Sequence, residues 1–471
     1  MNTQPKEQAN QLEADIALLD ALLGVEARKP GKAAALPAAI RIIENLEPTG
    51  GKDIPVFPAS YAGDDESTYD LAGIEYYDAE HRHPKSAKLC TIDSPQSQAN
   101  RMEPAFIEDE ALRPLVPQAS ATIPRRGTGS ESVLALPHRV ADFRIRLSNH
   151  APTVEDTITK FASGNALPLL QTFPTSILFG FWDSRGQGTK HARILLSRID
   201  AHNVVPCRRH SQYTGPYSED EFREVILEYG KETIKLSESG FTQAPGQSLG
   251  GVLLDERTGR IERISVLSLS DIARINCGTP LDPKKTNAAR NYLFVLAALA
   301  ESHERSKGSH RLRSGCELVT IGAPSFEFRG AQPSNATAIQ SLYSTRDRLI
   351  AIAKQSMNIL EIKSESQTYM VSATILKATA TTDDKEIKKI RENVGNLKLA
   401  WEKAEQAAKN AEAKSMKNDT NDKDKKVAQD KRKKADDAKN KFEEARDEAG
   451  DLWTLLDIFD RESEEKEPQV L

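Results

Sequence analysis

From Glu7 to Val25 the apolar residues Leu12, Ile16, Leu19, Leu22 and Leu23 recur in steps of three and four. That spacing puts them on one face and predicts a leading helix. GKAAALPAAI (31–40) follows as a linker, and AIRIIENLEPTGG (39–51) reads as a strand closed by a Gly-Gly turn. A proline-rich loop, IPVFPASYAG, and an acidic, tyrosine-rich run, DDESTYDLAGIEYYDAEHRH, lead to a strand-like AKLC. TIDSPQSQANRMEP (91–104) comes next, followed by a helix-like EPAFIEDEAL.

In LALPHRVADFRIRLS (134–148), Phe143, Ile145 and Leu147 alternate with Arg144, Arg146 and Ser148. Alternation predicts an extended chain with its cations on one face. TSILFGFWDSRGQGTKHARILLSRIDAHNV (175–204) reads as strand, glycine-bearing loop and strand. SEDEFREVILEYG and APGQSLGGV suggest an insertion made of an acidic helix and a glycine-rich stretch. IERISVLSLSDIARI predicts a strand or strand-to-helix unit, AARNYLFVLAALAESHER a buried helix, and RLRSGCELVTIG a further strand. Strands and helices mixed without regular βαβ repetition favour an α+β core.

The pattern then changes. Between 383 and 413, Ile387, Ile390, Val394, Leu397, Trp401, Ala404, Ala408 and Ala411 form a heptad seam. KSMKNDTNDKD interrupts it. A second seam runs through Ala428, Ala435, Ala438, Phe442, Ala445, Ala449, Leu452, Leu456 and Phe459, with Lys431 at one seam position. Two seams around one polar turn predict an antiparallel helical hairpin whose remaining faces interleave Lys with Asp and Glu. The domain reading is thus a leading helix and linker (1–40), a core with insertions (41–380) and a charged coiled-coil hairpin with tail (381–471).

Composition refines this outline. The 471 residues are 38% hydrophobic and 28% charged, and the net charge is −5. A nucleic-acid surface on such a chain must be a local patch of Lys and Arg. Cys90, Cys207, Cys277 and Cys316 lie far apart, without metal-ligand or redox spacing, and read as free thiols. The N-terminus lacks the apolar run of a signal peptide, and NYLFVLAALA is about half of a membrane span. A cytoplasmic protein with no membrane partner is expected.

Several motifs carry weak chemistry. GFWDSRGQGTK has Gly-Thr-Lys where a phosphate loop needs Gly-Lys-Ser/Thr. His81 and His83 suggest no third metal ligand. His138, Asp142 and Ser148 have no nucleophile elbow to bring them together. Asp93 beside Ser94 suits either a Mg²⁺-ligating acid or a helix-capping turn. TIDSPQSQANRMEP holds more amide and hydroxyl groups than a solvated loop needs, and the RIRLS and ARILLSR segments carry spaced cations. Spaced cations suit a backbone with one charge per nucleotide.

Taken in order, LEPTGG with VFPASYAG, IDSPQSQANRMEPAF, ALPHRVADFRIRLS, PTSILFGFWDSRGQGTKHARILLSRIDA, RRHSQY, LSLSDIARI and LRSGCEL resemble one family. It is the backbone RAMP subunit, the seventh Cas family, of type I-G (formerly I-U) CRISPR effector complexes. The resemblance runs from about residue 41 to about 330, and SQANR and FGFWDSRG are its most specific parts. It implies a modified RRM, a ferredoxin-like antiparallel sheet with helices behind, stacked head to tail along CRISPR RNA. It implies a thumb, here within 50–85 or 205–260, no cofactor, and no cutting by this subunit. The implied partners are guide RNA, the target DNA strand through guide pairing, further copies of the chain, a large subunit, a guide-end-binding or processing subunit and a helicase–nuclease. A guide delegated to base pairing is held by backbone and shape.

The expected RNA grips are Ser94, Gln96, Ser97, Gln98, Asn100 and Arg101; then Arg139, Arg144 and Arg146; then Arg185, Lys190, Arg193, Arg198 and Arg209. Two alternatives stand beside them. One is an RNA-cleaving subunit of type III character using Asp93. The other is a structural interaction protein acting through its helical hairpin.

Overall fold

The computed structural model describes residues 4–29, 31–32, 36–62, 67–78, 83–122, 131–184, 188–211, 246–365, 367–371, 396–397, 400–413 and 422–449. The fold is α+β, and it divides into two compact units. The first comprises Met1–Leu112, Ile194–Ile275 and Thr286–Ile359. The second comprises Arg113–Arg193, Asn276–Lys285 and Leu360–Leu471. The segment 41–380 is therefore shared between both.

The first unit is built on a nine-stranded sheet: β1 (Pro37–Pro48), β2 (Leu71–Asp78), β3 (His83–Asp93), β4 (Leu195–Ser211), β5 (Gly246–Leu254), β6 (Arg260–Ser268), β7 (Ser309–Arg313), β8 (Cys316–Thr320) and β9 (Ser325–Gly330). The spatial order is β7-β8-β1-β6-β4-β3-β2, with β9 also paired to β1 and β5 to β4. Every pairing in it is antiparallel. Its helices include α1 (Gln4–Leu23), α2 (Pro95–Met102), α3 (Leu269–Ile272) and α4 (Pro283–Ser306).

The period-2 rule sorts the two faces of the sheet. In β6, Ile261, Arg263, Ser265 and Leu267 are buried, while Glu262, Ile264 and Val266 are half-buried. The buried face of β1 carries Ile40, Ile42, Glu44 and Leu46. Helix α4 is buried almost all round from Ala288 to Glu301, which accounts for its continuous apolar run. A core cluster of Leu46, Cys90, Ile92, Ile199, Ala201, Leu312 and Leu318, among others, joins β1, β3, β4, β7 and β8. Cys90 and Cys316 sit in it as free thiols, and burial pushes them up to about 12 and about 11.

Strand β4 changes partner midway. It pairs with β6 from Leu195 to His202 and with β5 from Val204 to Ser211. Asn203, between the two stretches, has φ 53°, a left-handed conformation that Asn tolerates.

The second unit consists largely of short helices: Phe143–Arg146, Ala151–Ala162, Leu167–Thr172 and Pro174–Phe179. A two-residue hairpin pairs Phe181–Trp182 with Lys190–His191. Gln367–Met370 runs parallel to Ala119–Thr122. Residues 400–413 are helical, as is Asp422–Ala449. Trp401 stacks on Phe442 at 5.4 Å, and Arg432 reaches Glu405 at 2.8 Å and Glu412 at 2.7 Å. Ala408, Ala428 and Ala435 are buried.

Three expectations are corrected. Phe143–Arg146 is a helical turn, not a strand, because Asp142 caps it by accepting the Arg144 N–H at 3.1 Å. Residues 174–179 are helical, and the expected strand shrinks to Phe181–Trp182. RLRSGCELVTIG is two strands, split where Gly315 (φ 75°) turns the chain. The expected helix at 218–230 and the seam residues Ile387, Ile390, Val394, Leu452, Leu456 and Phe459 lie outside the described residues. No described helix is long and apolar enough to cross a membrane.

Candidate functional site

The site is built where β3 ends and α2 begins. Ser94 caps α2 by accepting the Ser97 N–H at 3.3 Å, and Pro95 occupies the first helical turn, where its missing N–H costs nothing. The cap aims the helix so that Gln98, one turn in, faces the sheet. Its side chain is fully buried. Gln98 Nε2 donates to Asp93 Oδ2 at 2.7 Å, and Gln98 Oε1 accepts from Arg263 Nε at 3.0 Å and Ser197 Oγ at 3.2 Å.

Asp93 is itself 1% exposed. Beyond Gln98 it receives Arg101 Nε at 3.1 Å and Arg313 Nη2 at 3.5 Å. Each arginine is also tied to the backbone. Arg101 Nη2 donates to the Leu312 carbonyl at 3.0 Å, and Arg313 Nη1 to the Ile92 carbonyl at 3.1 Å. A guanidinium has five N–H donors. These contacts use two on each arginine and leave three, on side chains 29% and 30% exposed. The trio carries one net positive charge at the unit's surface.

Behind it the network continues inward. Arg263 lies opposite Glu44 in the β1–β6 register and donates to it at 3.1 Å and to Glu301 of α4 at 3.2 Å. Ser265 Oγ donates to Ser197 Oγ at 3.0 Å. His310 sits between Glu44 and Glu304, 3.5 Å from each, and Thr320 Oγ1 donates to Glu44 at 2.5 Å. Burial alone would push the Glu44 and Glu304 carboxyls up. The bonds from His310, helped by Arg263 and Thr320 or by Lys307, instead hold both down at about 2. Buried charges persist only when paired in this way.

The expected grip residues therefore separate. Gln96 is exposed, and Ser97 and Asn100 are half-buried on α2 near Arg101. Gln98 is an interior group, because the helical turn points it at the sheet. Arg139 and Arg146 are likewise buried. Arg139, at φ 55°, lies 5.3 Å over the Phe179 ring and donates to the Gly180 carbonyl at 3.4 Å. Arg146 pairs with Asp183 and Glu155, each at 3.2 Å. Two residues apart on a helix face opposite sides, so Arg144 points outward to Glu131 while Arg146 points in. Arg198 is held by Asp200 at 2.5 Å and by Thr91 at 3.3 Å. Burial lowers the Arg193 pKa, with Arg139 nearby adding to it. Lys190 is exposed. Arg185 and the Arg209 side chain lie outside the described residues.

Sequence reasoning missed Arg313 and Arg263. Arg313 stands inside the motif LRSGCEL, one residue before the Ser-Gly turn, so a hairpin reading of that motif would have exposed it. Arg263 leaves a clearer signal, a cation at the centre of a buried alternating face.

Residues 40–206 match a family model described as CRISPR-associated protein GSU0053 (Cas_GSU0053). The matched segment holds β1, Asp93, α2 and the Trp182 hairpin. No curated protein matches the chain.

Proposed function

We propose, from the match of residues 40–206 to a CRISPR-associated family model, that the chain is a non-catalytic, guide-RNA-binding backbone subunit of a type I-G effector complex. The observation that carries this reading is the Asp93 anchor. Two arginines share one buried carboxylate, which fixes their guanidiniums and leaves donors for a phosphodiester. Gln96, Ser97 and Asn100 on the neighbouring helix supply amides and a hydroxyl suited to ribose. Lys190 and Arg144 are further backbone contacts.

The non-cutting part of the proposal rests on the same carboxylate. Asp93 accepts from Gln98, Arg101 and Arg313, and a general base or metal ligand with those lone pairs engaged is poorly placed to act. The fold is compatible with an RRM-like core. With β2, β3, β5, α3 and β7 set aside as additions, β1, α2, β4, β6, α4 and β8 occur in β-α-β-β-α-β order, and β8, β1, β6 and β4 are neighbours in the sheet. The β4–β5 arm beyond Asn203 then serves as the thumb. The helical pair of 400–413 and Asp422–Ala449 serves as an antiparallel hairpin for protein contacts.

The test is co-expression with a CRISPR array and the partner subunits, followed by sequencing of co-purified RNA. Guide RNA is expected with the wild type and is lost or sharply reduced in Arg101→Ala/Arg313→Ala. The salt dependence of RNA binding should fall by about 0.7 in slope for each lost phosphate contact. Wild-type protein free of RNA overturns the binding role. Mg²⁺-dependent cleavage of complementary RNA that Asp93→Asn abolishes overturns the non-catalytic one.

A further inference from the structure

The two-residue hairpin of the second unit presents a side chain that its fold does not use. Phe181 and His191 point inward. Phe161 packs 5.8 Å from Phe181 and 5.0 Å from His191, and the His191 ring nitrogen Nε2 is bonded to the Ile177 carbonyl at 3.0 Å. Alternation then forces Trp182 and Lys190 outward. Trp182 is 58% exposed, and Lys190 Nζ lies 4.5 Å from its ring centre.

The hairpin is rigidly mounted. Asp183 donates its N–H to the Thr189 carbonyl at 2.9 Å, and its buried carboxylate pairs with the buried Arg146. Gly180 enters the hairpin at φ 76°, where a Cβ would stand 2.8 Å from the His191 carbonyl oxygen. An indole held in water on a fixed support forgoes the burial that usually positions tryptophan. The neighbour across the hairpin is a cation. A flat ring beside a positive charge matches a base joined to a phosphate, the pairing used to bind single-stranded nucleic acid.

We infer that Trp182 is a stacking platform for one nucleobase of a single-stranded nucleic acid, with Lys190 meeting the adjoining phosphate. The inference rests on the RNA-binding reading above and adds to its backbone contact at Lys190 a different chemistry, base stacking on Trp182.

Fluorescence tests it directly. The chain has three tryptophans, and Trp401→Phe/Trp453→Phe leaves Trp182 as the only one, read by selective excitation of indole. Titration of this full-length protein with poly(U) should quench its emission to saturation. Inorganic polyphosphate should bind without quenching. Trp182→Ala should weaken poly(U) binding about tenfold and leave polyphosphate binding unchanged, with Trp182→Phe between them. Poly(U) binding seen by anisotropy without quenching overturns the inference and leaves the RNA-binding reading intact. Equal quenching by polyphosphate also overturns it, as does quenching only by a second protein. No poly(U) binding by the wild type overturns both.

Discussion

Arg263 shows how much one side chain can organise. It is about as buried as any leucine of the core, yet its guanidinium bonds to Gln98, Glu44 and Glu301. Replacing it with methionine keeps the volume and leaves two carboxylates without their shared cation. The expected loss is about 3–5 kcal/mol of stability, measurable by urea unfolding. Gln98→Leu strips Asp93, Ser197 and Arg263 of a partner each and should cost about 1–3 kcal/mol or more. RNA affinity should drop with it, because Asp93 no longer fixes Arg101 firmly. The stretch TIDSPQSQANRMEP was legible as special, since its crowding of amides pointed to a demand for hydrogen bonds. The direction of each group was not legible. Ser94 as cap decides it, and a one-residue change in the helix start would exchange Gln98 for a neighbour.

At the scale of elements, alternation misled where a cap overruled it. Phe143, Ile145 and Leu147 satisfy a strand pattern, but Asp142 starts a helical turn and the run is too short for periodicity to decide. The long helix Pro283–Ser306 and the strands Pro37–Pro48, from Ile40 on, and Arg260–Ser268 were legible because their burial is continuous or alternating. Gly180, quoted within FGFWDSRG, is required by geometry. Gly180→Ala should cost about 1–3 kcal/mol, and hydrogen exchange should show the 181–191 hairpin opening first. The helical pair invites a similar check. Trp401→Ala removes its stack on Phe442 and should raise exchange across 400–413 and 422–449 while sparing the sheet.

At the scale of the molecule, the buried charges give the first unit a particular pH dependence. Glu44 and Glu304 titrate at about 2, below their ordinary 4.5, so their contribution is present above about 4.5 and lost as pH falls towards 2. Burial pushes the His310 pKa down, but Glu304 and Glu44 more than reverse this and leave it raised above 6.5. Its contribution is present below 6.5 and lost as pH rises through the raised value. Stability of the wild type should therefore be greatest between these limits. His310→Gln should be less stable at about pH 5.5 and show a shallower decline towards about pH 8, as read from thermal melts. The division into two units was not legible at all. The chain passes between them more than once, and no composition shift marks Leu112, Arg193 or Ile275.

Strand β4 belongs to two structures at once. Seventeen residues long, it extends over about 56 Å, with its first half in the sheet and its second half in the arm with β5. Ser197, bonded to Gln98, and Arg208, near the far end, are thus points on one continuous strand, interrupted at Asn203 and by register shifts between Ile199 and Asp200 and between Pro206 and Arg208. The arm is therefore joined to the sheet by no loop: the strand that carries Ser197 is the strand that forms half of the arm.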